Sequence, residues 1–319
     1  MNTIKTKYQS VLKVFLMLVL LSPLKVLAQQ EPLYTQYMFN AMSVNPAITG
    51  VDETLNMTLL SRLQWAGMDG APETYSFAAQ TPFTNLDMGI GLSLVADNVG
   101  PVKNYYFNFN YAYRLQVTNT MKLSFGIKAG IYNYYVGLDG LLLDGASNDP
   151  SFQGQIERKM QPNVGAGVYL YDDKFYAGFS VPRMIANRLD NSEMESGGNV
   201  FAQVSQHYYI MAGYTFDIDK QWKLRPSFIN KMVSGAPPST DLAVQGIYKD
   251  TYWLGASYRF GDAVAILANM KINSELFIGY SYDFTLSELS TFNKGSHEIV
   301  ISYSYSGLLD KLGRTKPIR

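Results

Sequence analysis

Along most of the chain, hydrophobic and polar side chains alternate with a period of two. Leu123, Phe125, Ile127, Ala129 and Ile131 fall on one face, and Ser124, Gly126, Lys128, Gly130 and Tyr132 fall on the other. Ile90, Leu92, Leu94 and Ala96 oppose Gly89, Gly91, Ser93 and Val95 in the same way. Ile299, Ile301, Tyr303 and Tyr305 oppose Val300, Ser302, Ser304 and Ser306. Successive side chains of a strand point to opposite faces, so this rhythm predicts strands and not helices. It predicts them over 54–63, 73–81, 87–97, 103–116, 121–134, 162–171, 174–181, 206–217, 220–230, 240–249, 251–260, 263–271, 275–284 and 297–305. Glycines on the polar face suit strands that curve to close a barrel. Pro226 has no N–H to give a ladder, so a bulge or local irregularity is expected in 220–230.

The predicted connections come in two kinds. Those at 117–120, 172–173, 218–219, 250 and 272–274 are tight, whereas 64–70, 135–161, 182–205, 231–239 and 285–296 are longer. The short connection at 261–262 departs from this pattern. An even number of antiparallel strands, with short turns at one end and long loops at the other, is the plan of a bacterial outer-membrane barrel. The expected fold is therefore all-β: a transmembrane antiparallel outer-membrane β-barrel of about 14 strands. Its short turns and both termini are expected in the periplasm and its long loops outside.

The start of the chain carries an export signal. Lys5, Lys7 and Lys13 precede the short apolar run 14–21, and Val26-Leu27-Ala28 offers a cleavage site after Ala28. The run is well short of the roughly 20 residues that span a bilayer as a helix, so residues 1–28 read as a signal peptide. The mature chain then divides into a periplasmic or lumenal segment at 29–50, the barrel at 51–306 and a basic tail at 307–319.

Composition narrows the picture. The 26 basic and 26 acidic residues cancel, which gives no electrostatic case for nucleic acid or for an acidic partner. There is no cysteine, so an exported fold must rest on packing and backbone pairing alone. The 24 tyrosines suit membrane–water interfaces, where an apolar ring and a polar tip are both accommodated. The clusters Tyr105-Tyr106, Tyr111 and Tyr113, Tyr134-Tyr135, Tyr169 and Tyr171, Tyr208-Tyr209, and Tyr280 and Tyr282 lie toward strand ends and predict interfacial girdles.

Candidate chemistry is sparse. Two histidines, His207 and His297, show no metal-ligand spacing, and no nucleophile elbow or phosphate loop is present. No catalytic role, metal or cofactor is expected. A membrane hydrolase would have to be centred on His207. Inward candidates for charge, Lys128, Arg259 and Asp283, are few, which argues against an ion-selective pore.

The segment 29–50 has neither periodicity. It brings Tyr34, Tyr37, Met38 and Phe39 close together, followed by the turn signal Asn45-Pro46. Its pattern Tyr-x-Gln-Tyr-Met-Phe-Asn, then Asn-Pro-Ala and Gly, then Arg-x-Gln-Trp and Gly-Ala-Pro, resembles the N-terminal hallmark of the PorP/SprF family of outer-membrane proteins from Bacteroidota. Ala41 and Met42 depart from the more apolar or proline-like neighbours expected there. The resemblance implies a component or accessory of the type IX secretion system, which exports proteins bearing a dedicated C-terminal domain. It implies partners among the periplasmic ring or a peptidoglycan-binding lipoprotein, and a secreted surface protein or adhesin of the kind used in gliding, besides membrane lipid. Carried onto this chain, the hallmark nominates Tyr34, Tyr37, Met38, Phe39, Asn40, Asn45, Pro46, Arg62 and Trp65 as partner-binding candidates. The alternative is a stand-alone porin or hydrophobic-solute transporter.

Overall fold

The computed structural model describes residues 31–52, 54–137, 156–185, 187–190, 200–233 and 236–305. The expected signal peptide at 1–28 and tail at 307–319 lie outside the described residues, as do parts of the expected loops 135–161 and 182–205.

The strands are β1 (Leu55–Leu63), β2 (Glu73–Phe83), β3 (Met88–Val99), β4 (Val102–Gln116), β5 (Lys122–Val136), β6 (Ile156–Tyr171), β7 (Phe175–Arg183), β8 (Asn187–Asp190), β9 (Val200–Val204), β10 (His207–Tyr214), β11 (Phe216–Asp217), β12 (Trp222–Val233), β13 (Ala236–Tyr248), β14 (Tyr252–Arg259), β15 (Ala263–Lys271), β16 (Leu276–Thr285) and β17 (Ser296–Tyr305). β8 and β9 form a separate hairpin. All the others join one antiparallel sheet, which closes where β1 pairs with β17. β10 and β11 are two pieces of one stave, so the barrel has fourteen. Closure gives every stave a hydrogen-bonded neighbour on both sides, as a wall standing in hydrocarbon requires.

The alternation in the sequence maps onto the wall. Ile127 is 61% exposed and Leu254 66%, while the flanking inward residues Lys128 and Trp253 are buried. Exposed apolar side chains circle the outside, and buried asparagines, serines and charges line the inside. This inversion of a soluble protein is what a lipid-facing barrel needs. The tyrosines split between the two faces. Tyr105, Tyr113 and Tyr280 project outward, whereas Tyr106, Tyr134, Tyr169 and Tyr209 are buried inside. Only part of the tyrosine set can therefore serve as a girdle, because neighbours in a strand face opposite ways.

One local expectation takes a definite form and another changes. The ladder between β10/β11 and β12 runs to Gly213↔Ser227 and resumes at Phe216↔Leu224 with the register unaltered. Pro226 thus leaves an in-register gap rather than a bulge. The expected loop at 231–239 is mostly strand, since β12 continues to Val233 and β13 starts at Ala236. A register shift between Lys231 and Val233 sits across from Pro237 and Pro238, whose turn-like look is a strand irregularity.

At one end of the barrel the connections are tight. Asp172, Asp219 and Asn273 each accept two backbone N–H groups from the residues just after them, closing three of these turns in the same way. Lys249 and Asp250 both adopt positive φ as the central residues of the tight turn that Thr251 N–H closes onto the Tyr248 carbonyl. The other end carries the longer connections 64–72, 137–155, 184–206 and 286–295, and the short ones at 100–101, 234–235 and 260–262.

Candidate functional site: a plugged lumen

Residues 31–50 fill the barrel lumen. The segment passes through three short helical turns, Tyr37–Phe39, Ala41–Val44 and Pro46–Ile48. Asn45 caps the last of these by accepting the Ala47 N–H at 2.9 Å, with Pro46 at the first helical position, where its missing N–H costs nothing. Glu31 and Thr35–Gln36 contact residues near the long-loop ends of their strands: Arg183, Asp283 and Glu298. Val44 accepts a hydrogen bond from Ser180, and Asn45 donates to Val168 O at 3.0 Å further down. Gly50 lies at the short-turn end, where Arg114 donates to its carbonyl at 2.6 Å. The chain therefore threads the lumen from the long-loop mouth to the short-turn mouth before entering β1.

Inward glycines make room for it. A Cβ on Gly126 would overlap the Ala47 backbone, and one on Gly89 would overlap the Thr49 carbonyl. These positions serve close approach of the plug, in addition to any curvature of the wall.

The strongest grip is ionic. Glu298 accepts the Thr35 N–H at 2.9 Å and the Gln36 N–H at 2.7 Å, one on each carboxylate oxygen. Arg62 pairs with Glu298 at 3.0 Å and Asp283 at 2.8 Å, and donates to Thr35 Oγ1 at 3.0 Å. Arg62 and Glu298 are also register partners across the β1–β17 seam that closes the barrel. Arg259 continues the network through Asp241 at 2.9 Å, Asp262 at 3.3 Å and Asp283 at 3.7 Å. Arg62, Arg259, Asp241, Asp283 and Glu298 are all buried.

A second cluster surrounds Glu31 at the long-loop mouth. Its carboxylate meets Arg183 at 2.7 Å, and its main-chain carbonyl accepts from Lys231 Nζ at 2.9 Å. The Arg183 guanidinium stands 4.5 Å from the Tyr132 ring centre, 5.5 Å from that of Tyr106 and 5.9 Å from that of Tyr134. Burial alone would raise the Glu31 carboxyl; the positive field of Arg183, His207, Lys231 and Lys128 outweighs it and holds the carboxyl below its ordinary value.

The structure gathers most of the candidates nominated by the sequence. Tyr34, Tyr37, Asn40, Asn45 and Pro46 are buried in the plug, with Met38 and Phe39 half-buried. Phe39 packs on Phe277 with ring centres 4.5 Å apart, and the Tyr37 hydroxyl donates to Ser227 at 3.2 Å. Arg62 joins them from the wall. Trp65 stands apart in the 64–72 loop at positive φ, its N–H donating to Ser296 at 3.1 Å. Sequence reasoning missed Glu31, Thr35, Gln36, Arg183, Lys231, Asp241 and Glu298. The view that inward charge is sparse is corrected: Lys128, Arg259 and Asp283 have many inward companions. Strand parity held the missing signal, since Glu298 shares a face with Val300 and Ser302.

His207 is buried beside this cluster, with Nδ1 3.0 Å from Ser205 O. Among the described residues, no group of three or more metal-ligating side chains stands together.

The profile of the type IX secretion system membrane protein PorP/SprF matches residues 26–303, from before the plug to the last strand. The chain belongs to the PorP/SprF family. No curated protein matches it. Among solved structures, this family member is similar to a FadL homologue of Pseudomonas aeruginosa at 13% identity, covering 83% of this chain and 93% of that one with a TM-score of 0.44. It is similar to Omp33 of Acinetobacter baumannii at 8% identity, covering 81% and 100% with a TM-score of 0.45. It is also similar to the CymD monoaromatic hydrocarbon channel at 12% identity, covering 87% and 94% with a TM-score of 0.46. A closed barrel with an apolar outer wall, in a family of secretion membrane proteins, places the chain in the outer membrane.

Proposed function

We propose that the protein is a non-enzymatic docking barrel of the type IX secretion system. Its short-turn end and C-terminus face the periplasm and meet the secretion machine, through its ring or a peptidoglycan-binding lipoprotein. Its long-loop end faces outward and holds a secreted surface protein or adhesin. The observation that carries this reading is the filled lumen: residues 31–50 occupy it from mouth to mouth. A barrel wide enough to conduct, but filled by its own chain, offers its mouths and loops as working surfaces rather than a channel. The hallmark aromatics then act from inside. Tyr37 and Phe39 hold the plug against the wall, and docking falls to the surfaces that the seated plug and the loops compose. The test is a pull-down of tagged protein from gently crosslinked outer membranes, read by mass spectrometry. Recovery of type IX components, or of a large protein with a secretion-type C-terminal domain, is the expected result. A preparation with neither, under conditions that preserve a known complex of the machine, would favour a stand-alone porin or hydrophobic-solute transporter.

A further inference from the structure

Among the described residues the lumen holds four buried arginines, and they are not treated alike. Arg114 gives its terminal nitrogens to the Gly50 and Met88 carbonyls. Arg259 is saturated: Nε and the NH2 nitrogen both bond Asp241, and NH1 bonds Asp262. Arg62 directs its two terminal nitrogens at Thr35, Glu298 and Asp283, and only its Nε lacks a partner among the described residues. Arg183 is 1% exposed and makes one single-pronged contact, from NH2 to Glu31. None of its three nitrogens has an aligned hydrogen-bond partner among the described residues, the Glu31 contact being an ion pair by distance, although the hydroxyls of Tyr132 and Tyr134 lie alongside. A guanidinium offers five N–H donors in a fork that fits a carboxylate in two prongs, and leaving them idle in a buried site is costly. The surrounding charge is lopsided too. Arg183, Lys128 and Lys231 stand against Glu31 and Asp97 among the described residues, with His207 adjacent. The three-tyrosine cage fixes the guanidinium by cation–π contact, so the idle edge is rigid.

We propose that the idle edge of Arg183 receives a second carboxylate, from an acidic side chain of a partner peptide that enters at the long-loop mouth. Glu31 shows how the pocket treats such a residue, because Arg183 takes its carboxylate while Lys231 takes the main-chain carbonyl of the same residue. That combination reads a peptide-borne acid rather than a free one. The Glu31 side chain retains 18% of its exposure, so the cluster meets solvent at Glu31. This deepens the docking reading by naming the chemistry of the outer partner, and rests on it.

The test uses the purified full-length barrel in detergent and a fluorescein-labelled hexaglutamate peptide, with binding read by anisotropy. Wild type is expected to bind. Arg183→Lys is expected to weaken binding by about tenfold, since an ammonium cannot make the two-pronged contact. Glu31→Gln is expected to tighten it by removing a competing negative charge, and free glutamate at equal concentration is expected not to compete. Heat-dependent gel mobility checks that each variant is folded. Should Arg183→Lys fail that check, Lys231→Gln takes its place, with a several-fold loss expected. Equal affinity of the folded variant and wild type, absence of binding by wild type, or full competition by free glutamate would each overturn the proposal. Loss of the type IX components from the pull-down, with peptide binding intact, would sink the docking reading and leave the pocket standing.

Discussion

A few residues decide whether the plug seats. Gly126 and Gly89 bring the wall within contact of the plug backbone, and neither position has space for a methyl group. Gly126→Ala is expected to destabilise the barrel by about 1–3 kcal/mol, the usual cost of overpacking, measured by urea unfolding in detergent. An unchanged midpoint would mean that the plug yields easily at Ala47. Arg62 answers two buried carboxylates at once. Arg62→Met leaves Glu298 without its cation and Asp283 with only the longer Arg259 contact, and is expected to cost about 3–5 kcal/mol in the same assay. Replacing Glu298 by Gln as well should cost less than the sum of the two single changes, because neighbours in one network do not add. A strictly additive pair would remove the case for a shared latch.

The strands were largely legible, because period two is a local signal and fourteen stretches carry it. β4, β14 and β15 begin and end within a residue of their expected bounds. The plug was legible only as an exception. Its lack of periodicity and its crowd of Tyr34, Tyr37, Met38 and Phe39 marked it, but not its path. That path is set by pairs such as Thr35 with Glu298, 263 positions apart, and no local pattern encodes a contact of that range. The role of Arg62 was hidden for the same reason, since its partners sit on the last two strands. Pro226 was flagged correctly as a break, but its form depended on a neighbouring stave. If the plug alone closes the lumen, deletion of residues 33–48 should leave a folded barrel that conducts ions in planar bilayers, while wild type stays silent. Equal conductance of the two would assign closure to something else.

At the scale of the whole molecule, the two mouths differ in kind. One is rimmed by tight turns, and the other by long connections beside the Glu31 pocket. Because the chain has no cysteine, single thiols report orientation without interference. Phe292→Cys in the 286–295 loop is expected to react with a membrane-impermeant maleimide on intact cells. Lys220→Cys, in a tight turn, is expected to react only after the outer membrane is breached. The reverse labelling would turn the barrel over and put the Arg183 pocket in the periplasm.

The latch at the seam also imposes an order in time. Thr35 and Gln36 leave the ribosome near the beginning of the chain, and Glu298 near its end. The grip that seats the plug therefore does not exist until the final stave is made, and that stave is the one that completes the circle. A chain cut short before β17 lacks both the closing ladder and the Glu298 carboxylate that grips Thr35 and Gln36. One missing strand thus has two consequences, an unpaired edge and a plug without its carboxylate grip.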